Sequence, residues 1–112
     1  LGMGSSIAYA ASKGALNTMT LSLARALAPS IRVNAVCPGF VATAWFEKRF
    51  GSEQYEQLLK RQAESNPLRR VARAEDIADT VVFLAGPESA NITGECLISD
   101  TGAHLTLASG RS

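Results

Sequence analysis

The stretch from Ser6 to about Ala28 constrains this chain most. Alanine, leucine and methionine dominate it, the first proline is Pro29, and Ser5 or Ser6 suits an N-cap. A long helix is therefore expected. On a helical projection Leu16, Met19, Leu23 and Leu27 form one ridge. Ala8, Ala11, Ala15 and Ala26 make a smooth strip beside it, and Ala10, Gly14 and Leu21 occupy a third side. A helix this apolar around its circumference is covered on more than one side, so a sheet beneath it and a second helix against its small residues are expected. Ile31-Arg32-Val33-Asn34-Ala35-Val36-Cys37 follows at once, alternating, β-branched and stopped by Pro38-Gly39, and reads as a strand. A helix passing so quickly into a strand marks an α/β unit.

The pattern weakens from Phe40 to Arg73. Glu53 to Glu64 is helical, with Tyr55, Leu58, Leu59 and Gln62 at helix spacing, and Asn66-Pro67 breaks it. This segment reads as an excursion outside the main sheet carrying one or two helices. A second clear helix is expected from Ala74 to Ala85, with Glu75 and Asp76 in its first turn and Ile77, Val81, Leu84 and Ala85 as its buried stripe. Gly86-Pro87 closes it. Cys96 to Ser99 reads as a short strand, Asp100-Thr101-Gly102 as a turn, and Ala108 to Ser112 as a frayed tail. Helix, strand, excursion, helix, strand is the order of parallel strands joined by a crossover. Two strands do not make a stable sheet alone, and Leu1 is not an initiator methionine. The chain is therefore expected to be part of a larger domain whose N-terminal half it lacks.

Composition narrows the class. Of 112 residues, 46% are apolar and 19% charged, with a net charge of +1. That profile fits a globular protein and gives no reason to expect a nucleic-acid or membrane partner. The cysteines, Cys37 and Cys96, lack CxxC spacing, and His104 is the single histidine, so no metal site is expected. Cys37 ends its strand and Cys96 begins its own, which disfavours a disulfide between them, and free thiols suit a cytoplasmic location.

The chemistry concentrates in Tyr9-Ala10-Ala11-Ser12-Lys13, which puts a phenol and an ammonium one turn apart on one helix face. A phenol, with a reference pKa near 10, is idle at neutral pH, and lowering it by about three units takes about 4 kcal/mol of differential stabilisation. A close cation and the positive N-terminal end of a helix both act in that direction. The product would be a proton donor and acceptor working near neutrality. Taken alone, a Tyr and a Lys at this spacing are a weak signal.

The surrounding residues are specific. Tyr9-Ala10-Ala11-Ser12-Lys13-Gly14-Ala15-Leu16 followed by Ile31-Arg32-Val33-Asn34-Ala35-Val36-Cys37-Pro38-Gly39 resembles the active-site helix and following strand of short-chain dehydrogenases/reductases. Phe40-Val41-Ala42-Thr43, Asn66-Pro67-Leu68-Arg69-Arg70, Glu75-Asp76-Ile77-Ala78 and Ile92-Thr93-Gly94-Glu95 extend the likeness in order and spacing to about Leu105.

The resemblance implies an α/β fold, residues 1–112 being the C-terminal part of a Rossmann-type doubly wound parallel sheet with a substrate loop at about 40–73. It implies an NADP- or NAD-dependent oxidoreductase interconverting a small-molecule carbonyl and an alcohol, acting as a homo-oligomer, dimer or tetramer. Tyr9 would exchange the proton, and Lys13 would hold the nicotinamide ribose and depress the phenol. Pro38, Gly39, Val41 and Thr43 would line the nicotinamide pocket, at the carboxyl end of a strand where such sheets bind ligands. Phe40, Trp45 and Phe46, with Phe50 nearby, would wall the substrate, although a small satellite core is an equal reading of these aromatics. Lys48, Arg49, Lys60 and Arg61 read as a solvated face, and His104 as a surface or subunit contact.

Departures from the family pattern bound this reading. The family's serine and glycine-rich loop would fall before Leu1, and Ser5 and Ser6 stand too close to Tyr9 to replace that serine. The 112 residues alone are accordingly expected to be inactive. Thr101 stands where a second small glycine is common, and because threonine resists positive φ a different turn is expected there. Two rival readings are a non-catalytic dinucleotide-binding regulatory relative and a helical interaction module built on the Leu16–Leu23–Leu27 ridge. Retention of Tyr9 and Lys13 opposes the first, and the β-branched Ile31–Val36 segment the second.

Overall fold

In the computed structural model, which describes residues 6–109, the chain divides into two compact units. One comprises Leu1–Val36 with Phe83–Leu97, the other Cys37–Val82 with Ile98–Ser112.

The first unit is built on α1, Ser6–Leu27. The N-cap role expected of Ser5 lies outside the described residues. Of its described side chains only Thr20 and Ala24 are buried, whereas Leu16, Met19, Leu21, Leu23 and Leu27 are exposed. The cover expected around this helix is thus only partly supplied. Gly94, at φ 77°, comes close to it: a Cβ there would lie 3.6 Å from the Ala24 Cβ and 3.8 Å from Leu21 Cδ2.

The strand after α1 is shorter than its pattern suggests. β1 is Ala35–Pro38, not Ile31–Cys37. The preceding residues satisfy their polar groups on the loop around residues 92–95 instead. Val33 N–H donates to Thr93 Oγ1 (3.1 Å), Gly94 N–H to Val33 O (2.8 Å) and Ala35 N–H to Glu95 O (2.8 Å). Asn34 donates its Nδ2 to Ile92 O at 3.1 Å and accepts Glu95 N–H on Oδ1 at 3.0 Å. Arg32 leaves the strand pattern for a different task. Its guanidinium donates to the carbonyls of Ile92 (2.9 Å), Leu84 (3.2 Å) and Gly86 (3.0 Å). Leu84 belongs to the last turn of α4, Ala74–Ala85, so Arg32 supplies a cation and donors where that helix leaves carbonyls unpaired. β1 is hydrogen-bonded to β4, Cys96–Ser99, and both cysteines are free thiols.

The second unit opens with β2, Val41–Ala42, which pairs in parallel with β3, Ala72–Arg73, in the register Val41↔Ala72 and Ala42↔Arg73. Two-residue strands carry no periodicity, and the sequence gives no sign of this pair. Between them lie α2, Ala44–Phe50, and α3, Ser52–Ser65, split by Gly51 at φ 84°. The excursion therefore holds two helices. Asn66 ends α3 buried, with Nδ2 donating to Arg70 O at 2.9 Å. Asp76, in the first turn of α4, accepts the Arg73 N–H at 2.8 Å and pairs with Arg70 at 3.1 Å. This is the reach-back half of a capping box. The Arg73 N–H bond, with Arg70 and Arg73 beside it, holds the Asp76 carboxyl below its ordinary value.

The stripe expected on α4 is only partly covered: Leu84 is buried and Ile77 half-buried, whereas Val81 and Ala85 are exposed. Among the described residues the buried hydrophobics are Ala24, Ala72 and Leu84, too little surface to cover a second face of either long helix.

The turn after β4 corrects the expectation for Thr101. It takes φ 57° despite its branched side chain, and Gly102 follows at φ 86°. Asp100 explains why the turn survives. Its carboxylate accepts Gly102 N–H (3.0 Å) and His104 N–H (3.0 Å), and its Oδ1 lies 2.9 Å from His104 Nδ1. These bonds set the first turn of a further helix, α5, Ala103–Ser109, which replaces part of the expected frayed tail. Burial raises the Asp100 pKa, but the His104 ring and the two N–H groups outweigh it and leave the carboxyl below its ordinary value. His104 is thus exposed and paired within its own turn.

Candidate functional site

Tyr9 and Lys13 both lie in α1, four residues and about 6 Å of helix rise apart. The Lys13 side chain is half-buried. The Tyr9 side chain, on which the expected proton transfer depends, lies outside the described residues. The helical spacing of the pair is therefore established, but not the separation of its polar atoms.

The remaining site residues belong to the second unit from Cys37 onward. Pro38 and Gly39 are exposed at the end of β1. Gly39 is there for a steric reason: a Cβ on it would stand 2.7 Å from the Asp100 Cβ and 3.3 Å from the Asp100 Cα. Val41 is half-buried in β2, opposite Ala72. Thr43 is the N-cap of α2, with extended backbone and no side-chain capping bond, so its exposed hydroxyl is not consumed by the helix it precedes. Phe46 N–H bonds instead to the Thr43 carbonyl, at 3.1 Å.

The aromatic residues gather as a cluster. Phe40 and Phe46 have ring centroids 4.9 Å apart, Phe46 and Phe50 stack at 6.4 Å with 17° between planes, and Trp45 stands edge-on to Phe46 at 4.9 Å. Phe46 and Phe50, one turn apart on α2, share a face with Phe40 and form one wall of a cleft of about 500 Å³. The lining is completed by one face of α3, presenting Gln54, Gln57, Leu58 and Arg61.

Trp45 is not among the residues lining this cleft; it lies about 100° round the helix from Phe46, packs edge-on against it and remains 60% exposed. Arg61 is exposed, as expected of a solvated face, and also lines the cleft. Thr43 lines a second cleft, with Tyr55 and Leu59.

Among the described residues no helix is long and apolar enough to cross a membrane, and no group of three or more His, Cys, Asp or Glu side chains is placed to hold a metal ion.

The family described as enoyl-(acyl carrier protein) reductase matches residues 1–104. This chain belongs to the short-chain dehydrogenases/reductases. It is 41% identical over 104 residues to the short-chain dehydrogenase/reductase homolog YusR of Bacillus subtilis, covering 93% of this chain and 74% of that protein. Among solved structures, ligand-free aldohexose dehydrogenase of Thermoplasma acidophilum superposes with a TM-score of 0.79 at 34% identity, over 89% of this chain and 42% of that one. A small-chain dehydrogenase in complex with NADPH gives a TM-score of 0.70 at 33% identity, over 82% of this chain and 40% of that one. The fold is accordingly that of a Rossmann-type α/β protein. The chain spans about two fifths of the length of other curated relatives, such as the oxidoreductase UcpA of Salmonella typhimurium.

Proposed function

We propose that residues 1–112 form the C-terminal part of a Rossmann-type domain in an NAD(P)-dependent oxidoreductase that interconverts a carbonyl and an alcohol. The observation that carries this reading is the Tyr9-x-x-x-Lys13 spacing on α1, inside the segment matched to the family. The chain's coverage of its relatives supports a preceding segment that completes the sheet. The apolar side chains left exposed on α1 and α4 support a cover from that segment or from a second subunit.

The available donors fit a nicotinamide nucleotide. Thr43 offers a hydroxyl not spent on capping, and Gly39 a backbone with no side chain in the way. Lys13 would hold the ribose hydroxyls, and Thr43 the carboxamide. When bound, the nicotinamide supplies or takes up the hydride. Tyr9 gives the proton of its Oη to the carbonyl oxygen in the reductive direction and takes it back in the oxidative one. Lys13, one turn further along, favours the phenolate by its charge, and the N-terminal end of α1 acts in the same sense. An NADPH-bound structural relative supports this cofactor class, and two free thiols support a cytoplasmic setting.

The test is Tyr9→Phe in the full-length protein. Turnover of nicotinamide with a carbonyl substrate should fall by at least about two orders of magnitude, while cofactor affinity, read by nucleotide fluorescence, stays within about twofold. Unchanged turnover would overturn the assignment. The 112 residues alone should bind NADH and NADPH weakly or not at all in the same titration.

A further inference from the structure

The cleft between α2 and α3 is chemically two-sided. Phe40, Phe46 and Phe50 give it an apolar lining, and three polar side chains of α3, Gln54, Gln57 and Arg61, line it as well. The polar lining is not occupied with structural work. No ion pair or side-chain hydrogen bond engages Arg61, Gln54 or Gln57 among the described residues, whereas Arg70, Arg69 and Arg32 each hold a carboxylate or carbonyl. An exposed guanidinium with no protein anion among the described residues, lining the same cleft as the phenyl rings, suits a molecule with an apolar body and one negative group. The cleft, at about 500 Å³, matches a small molecule rather than a protein segment.

We propose that this cleft makes the enzyme selective for carbonyl or alcohol substrates with an acyl or aryl body and a single anionic group, with Arg61 as the residue that reads the anion. The selectivity rests on the oxidoreductase reading; the binding does not. The phenyl rings accept the apolar body and exclude water. Arg61 donates two parallel N–H bonds to a carboxylate or a phosphate, and Gln54 and Gln57 leave amides beside it for the remaining oxygens. Lys60, the neighbouring cation, is not part of the lining and provides an internal control for general charge attraction.

Two arms test this in the full-length protein. The first measures binding of 8-anilinonaphthalene-1-sulfonate, an aromatic anion, and of N-phenyl-1-naphthylamine, its uncharged counterpart, by probe fluorescence. Arg61→Gln should weaken the anion about tenfold and the neutral probe less than twofold. Phe46→Ala should weaken both, and Lys60→Gln neither. Equal losses for Arg61→Gln and Lys60→Gln would reduce the effect to net charge and overturn the proposal. So would failure of both probes to bind, which would mean that the cleft is filled by another part of the polypeptide or a second copy. The second arm compares NADPH-dependent reduction of an oxoalkanoate and an oxoalkyl phosphate with that of the oxoalkanoate's methyl ester. The proposal expects kcat/KM to favour one or both anions, the favoured one showing which headgroup is read, and Arg61→Gln to erase the preference by raising KM. Turnover that ignores charge sinks the selectivity while leaving the oxidoreductase intact. Absence of turnover with every substrate, beside an intact anion preference in the first arm, sinks the oxidoreductase reading and leaves the binding site standing.

Discussion

Gly39 and Asp100 approach so closely that a side chain on the first would overlap the second, the added Cβ standing 2.7 Å from the Asp100 Cβ. Backbone and Cβ atoms are on both sides of this contact, so no flexible tip can swing away. Gly39→Ala is expected to cost about 1–3 kcal/mol, the range for forced overpacking, and to displace the Asp100 turn. Urea denaturation checks the first effect, and weaker protection of the α5 amides from hydrogen exchange the second. A midpoint equal to that of the unaltered chain would refute the contact.

The Asp100 carboxylate gives a pH dependence of definite sign. Its folded pKa is depressed, burial opposing but hydrogen bonds from the His104 ring and the His104 and Gly102 N–H groups prevailing. Such a group contributes stability above the ordinary carboxylate value of about 3.9 and loses it as pH falls through the lower folded value. Asp100→Ala is expected to cost about 1 kcal/mol at pH 7, as for loss of a helix cap. The difference from the unaltered chain should close below about pH 4. Denaturation curves at pH 7 and pH 3 decide this, and a difference that persists undiminished at pH 3 would contradict it.

Arg32 joins the carbonyls of Leu84, Gly86 and Ile92 through one guanidinium. Arg32→Met keeps much of the apolar stem and removes these charged donors, while Ser89 Oγ still reaches the Leu84 and Gly86 carbonyls and Asn34 Nδ2 that of Ile92, so the cost should be about 1–2 kcal/mol. Arg32→Lys should recover only part, because an ammonium lacks the planar fork needed to reach several acceptors at once. Thermal melts of the three forms give the order Arg, Lys, Met.

Among the described residues, two sit in the left-handed region without being glycine: Arg69 at φ 55° and Thr101 at φ 57°. The left-handed backbone costs an ordinary residue about 1–2 kcal/mol, and glycine returns part of any gain through its looser unfolded chain. Thr101→Gly should stabilise by about 1 kcal/mol and Arg69→Gly by less, since threonine is β-branched. Either substitution lowering the melting temperature would show that the native side chain contributes more than its backbone costs.

Much of the architecture was legible because long elements advertise themselves. Ala74–Ala85 and Cys96–Ser99 fall where patterning puts them, since an acidic first turn, a Gly-Pro stop and a short apolar run are local signals. At Ile31–Asn34 the structure departs from the pattern because alternation reports a half-buried extended segment, not the partner of its hydrogen bonds, and here the partner is a loop. β2, β3 and the start of α5 were invisible for a related reason. Their causes are a two-residue register and an aspartate whose side chain reaches forward into the next turn. Around the cleft, aromatic character marks Phe40 and Phe46 in the sequence, whereas whether Trp45 or Arg61 joins the lining turns on single 100° steps around a helix, which residue type alone does not register.

The edge-on packing of Trp45 against Phe46 has a practical corollary. Trp45 is the only indole in these 112 residues, and it abuts the ring that forms the cleft wall while keeping most of its own surface in water. Its emission therefore senses two media at once. A guest that presses on Phe46 alters one side of the indole, whereas general unfolding alters both, so occupancy and denaturation carry separable spectral signatures in this chain without any label.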